Sequence, residues 1–131
     1  MLPKAHTHFP QTAIYKKAQE IFALSRNISQ YFIHDFSALN EDGTEQEHIY
    51  FTGDIVQQSV SLAPQILKAE QQAFSESKEK HIASITRLTN ALYRNCERLE
   101  RTHSNGKDFL PILRKELKKF RKLQRNWMLT L

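Results

Sequence analysis

Apolar residues recur in steps of three and four along four stretches of this chain, and that spacing constrains the fold more than any other feature. A helix turns once in about 3.6 residues, so such steps line up side chains on one face, which must then be buried. The first stripe is Ile14, Ala18, Ile21, Ser25, Ile28 and Phe32. The second is Ile55, Ser59, Leu62, Ile66, Ala69 and Ala73, with Val56, Ala63 and Leu67 beside it. Ile82, Ile85, Leu88, Thr89, Leu92, Cys96 and Leu99 form the third, and Leu110, Leu113, Leu117, Phe120, Gln124 and Trp127 the fourth. With only 3 Gly and 4 Pro in 131 residues, the chain is poor in turn formers, and its length suits one domain. These features predict an all-α protein.

The boundaries follow from local chemistry. After an irregular tail at 1–11, helices are predicted over about 12–36, 54–73, 77–102 and 108–129. Thr12 can cap the first, and Asp54 with Gln57 forms a variant capping box for the second. The acidic stretch NEDGTEQE (Asn40 to Glu47) reads as a solvated loop, and HIYF (His48 to Phe51) as an ordered approach to the second helix. SESKEK (Ser75 to Lys80) supplies serine caps and first-turn acids to the third helix, which Asn105-Gly106 ends. Asp108 is the expected cap of the fourth, with Pro111 in its first turn. An antiparallel up-down-up-down four-helix bundle buries all four stripes with mostly short connections.

Pro64 stands about ten residues inside the predicted second helix. It cannot donate to the Val60 carbonyl, and its ring crowds that oxygen, so a kink is expected there. The surrounding residues carry a resemblance. VSLAPQI (Val60 to Ile66), then SKEKHI (Ser77 to Ile82) opening an I-x-x-I-x-x-L-x-x-A-L helix, resembles the four-helix-bundle proteins encoded in intervening sequences of bacterial 23S ribosomal RNA genes. The ending KKFRKLQRNWMLTL, with Trp127 near its close, resembles the accessory variability proteins of diversity-generating retroelements. Ala63 stands where the intervening-sequence pattern more usually has its proline, and Gln124, Arg125 and Asn126 replace glycines before the tryptophan. The resemblance implies a ring-like homo-oligomer, a homopentamer of four-helix bundles, whose basic surface engages nucleic acid and, in the retroelement case, a reverse transcriptase.

Charge singles out one helix. From Lys107 onward there are eight basic residues against two acidic ones, whereas residues 1–106 hold 11 basic against 12 acidic. Arg114, Lys115, Lys118, Lys119, Arg121, Lys122 and Arg125 cover the face of the fourth helix opposite its apolar stripe. Such a face can track an RNA or DNA backbone by displacing counterions. The alternative is a protein-only scaffold with a solvated charged face. Trp127, Phe120 and Tyr93 lie on or beside apolar stripes and read as core or interface anchors.

Catalytic and metal patterns are weak. The strings Glu45-x-x-His48 and Glu100-x-x-His103 fall in a loop and at a helix end, away from a bundle axis, and His6-x-His8 lies in the tail. Cys96 reads as a small buried hydrophobe, while His34, Asp35 and His81 read as solvated or capping residues. No phosphate-binding glycine loop or zinc spacing occurs, so neither enzyme activity nor a cofactor is expected. One cysteine, no signal-like N-terminus and no long apolar run predict a cytoplasmic protein with no membrane partner.

Overall fold

A computed structural model describes residues 12–36, 38–44 and 46–131. The predicted tail, with His6 and His8, lies outside the described residues. The chain is all-helical, with no strand among the described residues: α1 (Ala13–Phe36), α2 (Glu47–Val60), α3 (Leu62–Gln71), α4 (Ser75–Glu100), a 3-10 turn (Asn105–Phe109) and α5 (Leu110–Met128). Because α2 and α3 are parted by Ser61 alone, they act as one interrupted helix, giving four helices in all.

The stripes explain the packing. Every predicted inner residue of α1 and of α5 is buried, polar Ser25 and Gln124 included. In α2 and α3, Ile55, Ser59, Leu62, Ile66 and Ala69 are buried in one unbroken series, while Ala73 lies beyond α3 and is exposed. In α4, Ile85, Thr89, Leu92, Cys96 and Leu99 face the core, with Ile82 and Leu88 packed at its margin. Helix α1 packs against α2, α3 and α5, and α4 packs against the same three elements. Each stripe thus meets stripes on two sides.

The ends of the helices depart from the predicted boundaries wherever tertiary contacts outweigh local capping. Helix α2 starts at Glu47 and not at Asp54, so HIYF is helical. The gain comes from aromatic packing: the His48 ring centroid lies 5.3 Å from that of Phe36 and 6.4 Å from that of Phe51. Thr52 is buried, its hydroxyl donating to the His48 carbonyl at 3.0 Å. Asp54, stranded mid-helix and exposed, caps nothing, and the N-cap is Gln46, which makes no side-chain cap bond.

Helix α3 begins at Leu62, which puts Pro64, exposed, in its first turn, where the missing N–H costs little. The backbone is broken one turn before the proline, at Ser61, whose hydroxyl donates to the Gln57 carbonyl at 2.8 Å. The Ser59 hydroxyl similarly donates to the Val56 carbonyl at 2.9 Å, so carbonyls at the interruption are served by side chains. Helix α4 starts at Ser75 with Phe74 as its N-cap, so the serines of SESKEK sit inside the helix and do not cap it. Glu76 does occupy its first turn.

Two local readings hold in detail. The Thr12 hydroxyl accepts from the Tyr15 N–H at 3.3 Å and caps α1. In the acidic loop, Asp42 accepts from both the N–H and the hydroxyl of Thr44, at 3.0 and 2.6 Å. Gly43 there adopts a φ of +85°, the left-handed region that favours glycine.

The link between α4 and α5 is organised differently from its prediction. Asp108 lies within the 3-10 turn, and the residue before α5 is Phe109, which makes no side-chain cap bond. The capping side chain is Ser104, whose hydroxyl accepts from the Gly106 N–H at 3.1 Å. Asp35, at the end of α1, accepts from the Ser104 hydroxyl and from the Asn105 N–H, fastening the turn to α1. Gly106 is buried against that helix, and a Cβ added to it would fall 2.9 Å from the Phe32 ring and 3.0 Å from the Tyr31 Cβ. The glycine serves close approach. Gly106→Ala is expected to lower stability by about 1–3 kcal/mol through overpacking, read from the urea midpoint, and Asn105→Ala to change it by less than about 0.5 kcal/mol.

Candidate nucleic-acid interface

Burial of the apolar stripe on α5 decides where its cations can go. With Leu110, Leu113, Leu117, Phe120, Gln124 and Trp127 inward, the basic residues are left for the flanks and the outer face. The structure sorts the seven predicted residues into two groups.

Three are engaged within the protein. Arg114 Nε lies 2.6 Å from Glu100 Oε2, and a second guanidinium nitrogen donates to Glu100 Oε1 at 2.7 Å. The same guanidinium donates to the Tyr93 hydroxyl at 3.3 Å, and the Glu100 carboxylate holds its pKa above the ordinary arginine value. Arg121 donates to Asn90 Oδ1 at 2.9 Å and sits 5.0 Å from the centroid of the Tyr93 ring. Both arginines tie α5 to α4, with Tyr93 between their roles as acceptor and as cation-facing ring. Lys119 is 3.0 Å from Glu116, which also accepts from Lys17 of α1 at 2.8 Å.

The other four, Lys115, Lys118, Lys122 and Arg125, are exposed and have no hydrogen bond or ion pair among the described residues. Their i, i+3, i+7, i+10 spacing puts them in a row about 15 Å long on the outer face. Unpaired cations keep their full charge for an external anion.

A second row was hidden by the charge balance of residues 1–106. Lys80, Arg87, Arg94 and Arg101 recur every seven residues along α4 and at its C-cap, and all are exposed. Arg87 donates to Ser84 Oγ at 3.0 Å, and the other three have no partner among the described residues. The heptad spacing was present in the sequence, but summing charge over that whole region cancelled it against the acids of the loop and the helix. Since α4 packs on α5, and Arg94 is one turn past the Asn90 that receives Arg121, the two rows lie on neighbouring helices.

The remaining candidates take structural places. Phe120 and Trp127 are buried, and Trp127 Nε1 donates to Glu70 Oε2 at 3.0 Å, joining α5 to α3. Cys96 is fully buried, and burial pushes its thiol up to about 12, far from a reactive thiolate. His81 pairs with Gln65 at 2.7 Å, linking α4 to α3. Glu100 is held by Arg114, His103 is exposed, and Glu45 lies outside the described residues. Among the described residues, no three His, Cys, Asp or Glu side chains group as metal ligands, and no helix is long and apolar enough to cross a membrane.

The Lys17–Glu116 pair makes a testable contribution to stability. Its hydrogen bond to Lys17 lowers the Glu116 pKa, and its bond to Glu116 raises that of Lys17. The carboxylate's contribution is therefore present above its unfolded value, near pH 4.3, and is lost as pH falls through the lower folded value. The ammonium's contribution is present below about pH 10.4 and is lost as pH rises through the higher folded value. Lys17→Met should reduce the urea midpoint by a constant amount across neutral pH, the gap from the parent protein closing at both extremes.

No protein-family model, curated protein or solved structure matches this chain.

Proposed function

We propose that this protein is a non-enzymatic, nucleic-acid-binding helical bundle that holds the phosphate backbone of RNA or DNA on the outer faces of α4 and α5. The observation that carries this reading is the separation of cations on α5. Arg114, Arg121 and Lys119 each have a partner within the protein, while Lys115, Lys118, Lys122 and Arg125 stand in a row without partners among the described residues. A charged face that merely solvated the bundle would have no need of a row on α5 beside a second one on the neighbouring α4. Two such rows on packed helices offer a broad cationic surface, which suits sequence-independent, salt-sensitive binding.

The proposal includes an antiparallel up-down-up-down order of the helices. It is supported by the packing of α1 and α4 against α2, α3 and α5, and by the short links on either side of α4. It also includes self-association into a ring-like homo-oligomer, the pentamer implied by the resemblance, with a reverse transcriptase as the protein partner in that setting. Phe74 and Leu129 are 76% and 86% exposed at the end of the bundle where Lys78 Nζ donates to the Leu131 carbonyl, and they suit a subunit contact. A strict monomer at high concentration in sedimentation equilibrium would reject the assembly.

The binding test uses nuclease-treated protein and a fluorescent duplex at several salt concentrations. Replacing Lys115, Lys118, Lys122 and Arg125 together by Gln should reduce the slope of log K against log salt by roughly 3–4, because each phosphate left unneutralised takes about 0.9 from it. Arg114→Gln should lower thermal stability while leaving that slope within about one unit of the parent. If the parent protein shows no salt-dependent binding at micromolar concentration, the reading fails, and a scaffold binding only proteins takes its place.

A further inference from the structure

Where the start of α2 meets the end of α4, a cleft of about 420 Å³ is lined by His48, Phe51, Arg98 and Arg101. The α5 row has no part in it. Arg98 and Arg101 are three residues apart, which puts them on one side of the chain as α4 closes. Arg98 is held in place: it donates to Asn95 Oδ1 at 3.2 Å, and Asn95 in turn donates to Gln58 Oε1 of α2 at 3.1 Å. Its guanidinium also lies 5.0 Å from the centroid of the Phe51 ring. Arg101 is exposed and has no partner among the described residues.

His48 completes the lining. Its ring is set beside Phe36 and Phe51, and its Nδ1 is buried with no hydrogen-bond partner among the described residues. Because Nδ1 is inaccessible, the ring serves as a wall of the cleft and leaves the donors to the two arginines. Among the described residues, no carboxylate lines the cleft.

We propose that this cleft is a binding site for a phosphate group. Two guanidiniums supply the donors, and neither can accept. A carboxylate offers two oxygens, whereas a phosphate terminus offers three, enough to serve both guanidinium forks. The Phe51 ring lowers the local polarity on one side, which strengthens each charged hydrogen bond. Arg98 is pre-set by the Asn95 and Gln58 relay, so little freedom is lost on binding. Free inorganic phosphate and the terminal phosphate of a nucleic-acid strand present the same chemistry here.

The site is tested on the full chain by following the Arg98 side-chain Nε and the His48 ring in NMR spectra during titration with sodium phosphate, with sodium chloride at matched ionic strength as the control. Saturable shifts of both groups with phosphate, and none with chloride, are expected. Arg101→Gln, at an exposed position outside the core, should weaken phosphate binding about tenfold, and Lys118→Gln should leave it unchanged. Equal shifts with phosphate and chloride, or an Arg101→Gln protein that binds phosphate as tightly as the parent, would overturn the site. Competition with two oligonucleotides of one sequence then assigns the source. A terminally phosphorylated strand that displaces phosphate where the unphosphorylated strand does not identifies the strand end, displacement by neither identifies free phosphate, and equal displacement by both places backbone phosphodiesters in the cleft and overturns a site for a phosphate terminus. Because the α5 row is not involved, phosphate binding that survives substitution of all four of its cations separates this site from that row, while Arg101 belongs both to the cleft and to the end of the α4 row.

Discussion

The structure depends on the one-sided burial of α5. Six positions of that helix, from Leu110 to Trp127, enter the core, and this fixes its rotation about its own axis. Once the rotation is fixed, the destination of every basic residue is fixed as well. Arg114 and Arg121 fall on the flank toward α4, where Glu100, Asn90 and Tyr93 receive them. Lys119 and Glu116 fall on the flank toward α1, where Lys17 joins them. What remains outside is a row of cations with no ion-pair partner among the described residues. The same burial therefore sets both the stability of the bundle and the charge of its surface.

The interruption between α2 and α3 shows how a local defect can leave a core intact. Proline deprives the Val60 carbonyl of a donor, but the chain has already left the helix at Ser61 and re-enters it at Leu62. Ile55, Ser59, Leu62, Ile66 and Ala69 continue inward across the break, so α1 and α4 meet one surface. Starting at Glu47 also brings His48 and Phe51 to the end of α1, next to the arginines that close α4. The phosphate cleft and the extra two turns of α2 are thus products of one packing event.

The four stripes were legible because a helix has a fixed period and apolar side chains must be hidden, and in α1 and α5 every inner residue could be named in advance. The caps were less legible. Thr12 caps as its chemistry suggests, whereas Asp54 and Asp108 have the right side chains in places where packing carries the backbone past them. A cap contributes about 1 kcal/mol, and aromatic burial at His48 and Phe51 contributes more. For the candidate interface, the cationic character of α5 could be read from its sequence. The row on α4 could have been found from its heptad spacing but was masked when charge was summed with the acids of the loop and of α4 itself.

By itself, then, the sequence determined the helical class, the inward face of each helix and the excess of positive charge near its end, because each depends only on composition and period. The tertiary structure alone decided which cations are free. Arg114 and Lys115 are adjacent and equally basic, yet one is clasped by Glu100, fourteen residues earlier, and the other has no partner among the described residues. Only the packing of α4 on α5 creates that difference, since charge pairing depends on distance in space and not along the chain. The same holds for His48, Arg98 and Arg101, which belong to different helix ends in the sequence and which the fold gathers into one cleft.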